Sequence, residues 1–263
     1  MGREAVTVRF PFSEADLRRY SRQMILPEVG GAGQERLRRS RVVVVGAGGL
    51  GSPAALYLAA AGVGTLGVVD SDRVDLSNLQ RQILHGTKAL DLPKVTSAQG
   101  RLEELNPEVR VIPHALRLDA ASAREVLAGY DVVVEGSDNL ATKLVVNDAC
   151  VALGRPLVAA GILRWDGQLL VVRPGESACY RCVYPREAPE GAVPTCEAAG
   201  IVGPVAGVVG SLQAVEALKL CLGLVTAAGR LLLYDGATPE LRAITVRPNP
   251  ACPACGILPP RSE

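Results

Sequence analysis

A Rossmann-like α/β fold, with a doubly wound sheet that is parallel in its N-terminal half, is predicted by three features of the sequence. Short β-branched runs alternate with helix-length stretches from residue 41 to residue 161. The first run, residues 42–45, is four valines, as expected of a strand buried on both faces. It leads directly into a glycine-rich turn at 46–51 and then a small-residue helix, the order that opens a βαβ unit.

The elements follow in order. Residues 13–39 read as a charged helical extension, with Ser13 as N-cap ahead of Glu14 and Asp16. After strand 42–45 come a helix at 50–61 and a strand at 65–69. Residues 94–105 form an amphipathic helix ended by Asn106-Pro107, and 109–112 a third strand. A short helix at 122–128 and a fourth strand at 131–134 precede a helix at 139–153, which Gly154 and Pro156 stop, and a fifth strand at 157–160. After Gly161 antiparallel strands are added. Residues 162–172 read as a hairpin turning at Asp166-Gly167, and 183–203 as a Pro, Gly and Ala-rich loop suited to mobility. A long helix at 205–222 and strands at 230–234 and 241–247 complete the chain.

Composition narrows the function classes. The 263 residues are 48% apolar and 21% charged, which excludes disorder. Basic and acidic residues number 28 and 27, a balance that argues against a nucleic-acid or membrane-surface binder. Aromatic residues are 3%, too few for a base-stacking platform. The uncharged stretches 42–69 and 198–215 are long enough for membrane spans, but glycine and proline interrupt both, so they read as buried α/β core. The first residues carry no apolar signal segment. Seven cysteines without such a segment point to the cytoplasm, where cysteines more often bind metal or do chemistry than form disulfides.

Gly46, Gly48, Gly49 and Gly51 follow a strand and open a helix. Glycines there permit a tight turn and close approach of backbone to phosphate, while the helix N-terminus offers free N–H groups and a partial positive charge. Asp70 ends the next strand, 19 residues after Gly51, where a carboxylate meets a ribose hydroxyl. A structural turn is the competing reading. The segment 70–82 is dense in polar groups, including Asp72, Asn78, Arg81 and Gln82, and lies past a strand end on the ligand face of such a sheet. Arg81 and Lys94 suit a triphosphate, and Asp138 suits Mg²⁺ held with phosphate oxygens; a solvated loop and a helix N-cap at Asp138-Asn139 are the plainer alternatives.

Cys179-x-x-Cys182 and Cys252-x-x-Cys255 supply four thiolates for one tetrahedral zinc site, with all corners filled and therefore structural; redox pairs or inert thiols are the alternatives. Cys150 and Cys221 lie on apolar helical stretches and read as core. Cys196 sits in the Pro/Gly-rich loop, either as a nucleophile or as an unreactive thiol. His85 and His114 read as structural.

Taken in order, several motifs resemble the MoeB/ThiF/HesA members of the ubiquitin-activating enzyme superfamily. They are Arg19-Tyr20-Ser21-Arg22-Gln23, the 46–51 loop, Asp70 with Asn78-Leu79-Gln80-Arg81-Gln82, Lys94, Ser137-Asp138-Asn139, the cysteine pairs and Thr195-Cys196-Glu197-Ala198-Ala199-Gly200. The resemblance runs from about Leu17 to Gly256. It implies an adenylyltransferase that uses ATP and Mg²⁺ on the C-terminal Gly-Gly carboxylate of a ubiquitin-like sulfur carrier of the MoaD/ThiS kind. By the same resemblance, the glycine loop and Asp70 hold the nucleotide, with Asp72, Gln82 and Asn139 lining its site. Asn78, Arg81 and Lys94 contact phosphates, Asp138 binds Mg²⁺, and Arg22 reaches the partner's site in a homodimer. Cys196 matches the family thiol that in some members takes up the acyl group or sulfur. Lys143 stands where such chains commonly carry Arg, which keeps the charge and loses a bidentate contact, and it is left out of the catalytic set. With no rhodanese-like extension after Gly256, sulfur transfer is expected to use a separate donor of cysteine desulfurase or rhodanese type.

The implied organisation is one domain over 1–263: an arm at 1–40, a nucleotide-binding half at 41–161, and a carrier-binding half at 162–263 with a crossover loop at 183–203. A tRNA-activating relative, an NAD(P)-dependent oxidoreductase and a non-catalytic scaffold for a ubiquitin-like protein remain the other readings. ATP with Mg²⁺ against NAD(P) separates the enzyme readings, and binding without ATP turnover marks the scaffold.

Overall fold

Ser13 opens the first helix, α1 (Glu14–Met24), by accepting the Asp16 amide at 3.1 Å while the Asp16 carboxylate accepts the Ser13 amide at 2.9 Å. The computed structural model, which describes residues 12–185 and 199–256, splits the predicted 13–39 helix in two. Pro27 cannot continue a helix, and α2 (Gly30–Arg39) begins only after it, at a glycine with φ +54°. The arm is fastened to the domain by buried polar groups. Gln23 and Gln34 both donate to the Ala61 carbonyl, at 2.8 and 3.0 Å, and buried Asn106 donates to the Tyr20 hydroxyl and the Ala59 carbonyl.

The remaining elements are β1 (Arg41–Val45), α3 (Gly51–Ala60), β2 (Thr65–Val69), α4 (Lys94–Leu105), β3 (Arg110–His114), α5 (Ala120–Ala128), β4 (Val132–Glu135), α6 (Leu140–Leu153), β5 (Leu157–Leu163), β6 (Asp166–Val172), α7 (Tyr180–Val183), α8 (Gly203–Leu222), β7 (Arg230–Asp235) and β8 (Glu240–Thr245). One sheet takes the order β3-β2-β1-β4-β5-β6-β7-β8. Strands β3 to β5 are parallel to one another, and β6, β7 and β8 each add antiparallel. Pro113 is accommodated because β3 is an edge strand.

Alternate residues of β1 feed two cores. Val42 and Val44 pack under α3, α4 and α8, whereas Val43 and Val45 pack under α5 and α6. That is why the valine run is unbroken. Helix α8 is long and apolar enough to cross a membrane by composition, but half of it is buried here against the sheet. The strand order reverses between β1 and β4, so the carboxyl ends of these neighbours leave a crevice at the switch point.

The hairpin departs from its predicted position. Leu163 pairs with Asp166, so the turn is Arg164-Trp165, and Asp166-Gly167 lies inside β6. Asp-Gly chemistry loses here to tertiary backbone bonds. The Arg164 amide donates to Gly200, its carbonyl accepts from Val202, and the Trp165 carbonyl accepts from Gly236. These contacts hold Arg164 at φ +56° despite its side chain. Residues 186–198 of the predicted loop, including Cys196, lie outside the described residues.

Candidate active site and cysteine cluster

The glycine turn is shaped by what it packs against. Gly46, at φ +91°, takes its amide bond to the Val69 carbonyl, and a Cβ there would lie 3.0 Å from the backbone of Gly136 and Ser137. A Cβ on Gly51 would lie 1.8 Å from the Gly46 carbonyl oxygen. Alanine at Gly51 is therefore expected to destabilise the fold at the upper end of the about 1–3 kcal/mol typical of overpacking. Chemical denaturation checks this, and an unchanged midpoint would contradict it.

The Asp70 carboxylate closes the turn. It accepts the Ala47 amide at 2.8 Å on one oxygen and the Asp72 amide at 2.9 Å on the other, leaving each oxygen a further lone pair for a hydroxyl. His85 supports the same loop from beneath. Its Nε2 faces the Ala47 carbonyl at 2.8 Å and its Nδ1 faces the Ser97 hydroxyl at 2.9 Å. A carbonyl only accepts, so Nε2 carries the proton. Burial pushes the His85 pKa below its usual value and favours the neutral ring.

At the crevice lies a cavity of about 360 Å³. Its lining brings together Gly46, Gly48, Gly49, Asp70, Asp72, Arg81, Gln82, Lys94, Asp138 and Asn139 from segments far apart in sequence. Gly51, Asn78 and Arg22 are not among the lining residues. Gly51 is the first residue of α3, Asn78 closes a single 3₁₀ turn with Asp75, and Arg22 is exposed on α1. Lys94 is buried and pairs with exposed Asp72 at 3.0 Å, while Arg81 donates to the Ser77 carbonyl at 2.9 Å. Asn139, not Asp138, is the N-cap of α6, accepting the Thr142 amide at 2.8 Å. Asp138 is thereby left beside the cavity. It also lines a second cavity of about 480 Å³, which shares Gly161 and Ile162 with the first and is floored by β5, β6, β7 and β8.

Sequence reasoning missed Glu135, a lone acid ending an apolar strand, and set Lys143 aside. Glu135 is fully buried, and Lys143 lines the first cavity. The Lys143 ammonium donates to Glu135 at 2.5 Å and to the Ala160 carbonyl at 2.5 Å. The signal for Glu135 was its charge, the only one in a strand otherwise made of valines.

Nucleotide and Mg²⁺ fit this lining. Two helix N-termini, α3 and α6, open at the crevice, and backbone amides there are natural phosphate donors. Four cationic side chains, Arg81, Lys94, Arg117 and Lys143, and the Asp138 carboxylate stand around it. The buried Gln82 Oε1 has no hydrogen-bond partner among the described residues, an acceptor left for a ligand donor.

The cysteine pairs converge on the far side of the sheet. Their sulfurs lie within 4.8 Å of one another, with 3.6 Å between Cys179 and Cys252, 3.4 Å between Cys182 and Cys255, and 4.0 Å between Cys179 and Cys182. Zinc thiolate bonds of about 2.3 Å give tetrahedral edges of about 3.8 Å, so the donor set fits zinc. Burial raises the Cys252 thiol, but amide donors at Cys255 and Ala254 outweigh it and bring the pKa down to about 7, whereas burial pushes the Cys179 and Cys255 thiols up. Fully buried Asn147, on α6, accepts the Tyr180 amide at 2.8 Å, and neighbouring Asp148 takes a bidentate bond from Arg181. Of the two cysteines expected in the core, Cys150 is fully buried, whereas Cys221 is only partly buried and packs against the core edge.

The profile of the ThiF family matches residues 20–254. A sulfur carrier protein adenylyltransferase of Thermus thermophilus is 52% identical over 258 residues, covering 96% of this chain and 95% of that protein. The Bos taurus adenylyltransferase and sulfurtransferase MOCS3 is 50% identical over 253 residues, covering 95% of this chain and 56% of that protein. The crystal structure of Escherichia coli MccB shares the fold, with TM-score 0.80 at 22% identity over 93% of this chain and 74% of that one.

Proposed function

The chain belongs to the ThiF family, and on that premise we propose that it is an adenylyltransferase acting on a ubiquitin-like sulfur carrier. The carrier's C-terminal carboxylate attacks the α-phosphate of ATP, giving an acyl-adenylate and pyrophosphate. The observation that carries this reading is the meeting of the two cavities at Asp138: one polar and cationic at the glycine loop, the other an open trough over β6 to β8. The trough reaches the nucleotide cavity past Gly161, beside the Gln168 side chain, a passage suited to a tail without side chains.

In this reading the 46–51 loop, Asp70 and Gln82 seat the nucleoside and phosphates. Arg81 and Lys94, with Asn78 behind them, offset phosphate charge, and Lys94 leaves Asp72 to do so. Mg²⁺ would neutralise charge on the phosphate oxygens when bound, with Asp138 as the residue that would hold it and Asn139 lining the nucleotide site beside it. No enzyme nucleophile is required, so positioning and charge neutralisation carry the step. Cys196 is reserved for a later transfer step. Zinc on Cys179, Cys182, Cys252 and Cys255 clips the tail to α7.

A homodimer supplies Arg22 in trans. Arg22 lies outside its own protomer's cavity, and Tyr57 of α3 with Val208 and Val215 of α8 leaves apolar surface exposed on two neighbouring helices. The functional halves are 41–161 for nucleotide and 162–263 for carrier, sulfur comes from a separate donor, and the enzyme is cytoplasmic. ATP–pyrophosphate exchange is expected only when a carrier ending in Gly-Gly is present. Absence of exchange with several such carriers, in folded protein, would overturn the reading.

A further inference from the structure

We propose that Glu135 and Lys143 are positioning residues that set the turn bearing Asp138, and through it the rate of adenylation, with the Lys143 ammonium committed to Glu135 and Ala160 at the cavity wall. The inference rests on the adenylation reading for its kinetic part only. A charge pair buried in a sheet centre gives little net stability over apolar residues of the same size, so its presence calls for another reason. The hydrogen bonds supply one. Glu135 Oε1 accepts both the amide and the hydroxyl of Ser137, the amide at 2.8 Å. Lys143 neutralises the other oxygen and ties α6 to the Ala160 carbonyl of β5. The Gln213 amide from α8 donates to the Glu135 carbonyl at 2.8 Å and to the Val158 carbonyl at 3.0 Å, so the strand end is held from the opposite face as well.

The turn has little freedom left. The Gly136 amide is bonded to Val45, Ser137 is held by Glu135, and Asn139 caps α6. Asp138 is flanked on both sides by groups whose bonds are satisfied inside the protein, and its own carboxylate takes only a 3.4 Å contact from Asn139 among the described residues. The buried pair thus fixes the backbone on which the one exposed acid at the junction of the cavities is carried. Lys143 also explains why lysine serves here where a guanidinium is commonly found: two single acceptors, a carboxylate oxygen and a carbonyl, need no fork.

The test uses the full chain with a Gly-Gly-ended carrier and compares Lys143→Arg with the double variant Glu135→Leu/Lys143→Met. The double variant removes both charges at once and so leaves none buried and unpaired. In it the Ser137 amide of the nucleotide-free protein is expected to lose its protection from hydrogen exchange. Its kcat for exchange is expected to fall about 10–100-fold, the usual effect of losing a supporting shell, with a smaller change in the KM for ATP. Lys143→Arg is expected to keep Ser137 protection and most of the rate. A folded double variant with wild-type kcat and a protected Ser137 amide would overturn the proposal. Wild-type protein without carrier-dependent exchange would instead defeat the adenylation reading, and the amide measurement would still decide the positioning claim.

Discussion

Stripping the metal from the cysteine cluster is expected to lower the melting temperature by about 10 °C or more, since zinc sites of this type contribute on the order of 10 kcal/mol in small peptides and each kcal/mol is worth about 2–4 °C at this chain length. The share realised here is smaller than in a peptide, because the sheet and both cores form without the tail. What the metal would supply is the link between α7 and residues 252–255; next to it the Asn249 amide donates to the Cys182 sulfur at 3.4 Å. Cys252→Ser is expected to act in the same direction, through loss of one of the four sulfur ligands. Elemental analysis should find one zinc per chain in the wild type. Protein purified anaerobically without metal, and with an unchanged melting temperature, would defeat the assignment.

Replacing Asp138 by alanine is expected to cut carrier-dependent ATP–pyrophosphate exchange by at least about 10²-fold, the scale seen when a group aimed at developing charge is removed. The fold should tolerate the change. The Ser137 bonds to Glu135 and the Asn139 cap on α6 do not pass through the Asp138 side chain. Melting temperature and zinc content are therefore expected to hold while exchange falls, and the requirement for Mg²⁺ is expected to rise. Undiminished exchange in this variant would remove Asp138 from the site and leave the two cavities without their proposed junction.

These two expectations differ in how far the chain alone discloses them. The cysteine spacing announces a four-thiolate site, but the gap of 69 residues between Cys182 and Cys252 says nothing of which surface the tail returns to. Asn147 and Asp148 on α6, which hold the other end of the clip through Tyr180 and Arg181, have no motif of their own.

Local chemistry written in neighbouring residues was legible: the valine run of β1, the glycines that only a backbone-to-backbone approach requires, the Ser13 cap, and the alternation that makes the sheet parallel as far as β5. Those features depend on periodicity and on hard-sphere limits, which act over a few residues. The tertiary structure decided the rest. It moved the hairpin turn to Arg164-Trp165 because Gly200, Val202 and Gly236 bond that backbone. It gave His85 a place under the glycine loop and joined Glu135 to Lys143 across the start of α6. Each of these contacts links residues whose separation carries no pattern, and those of His85, Glu135 and Lys143 satisfy buried polar groups that water would otherwise have to reach. The desolvation cost of such groups is set by the packed interior, which exists only once the chain has folded.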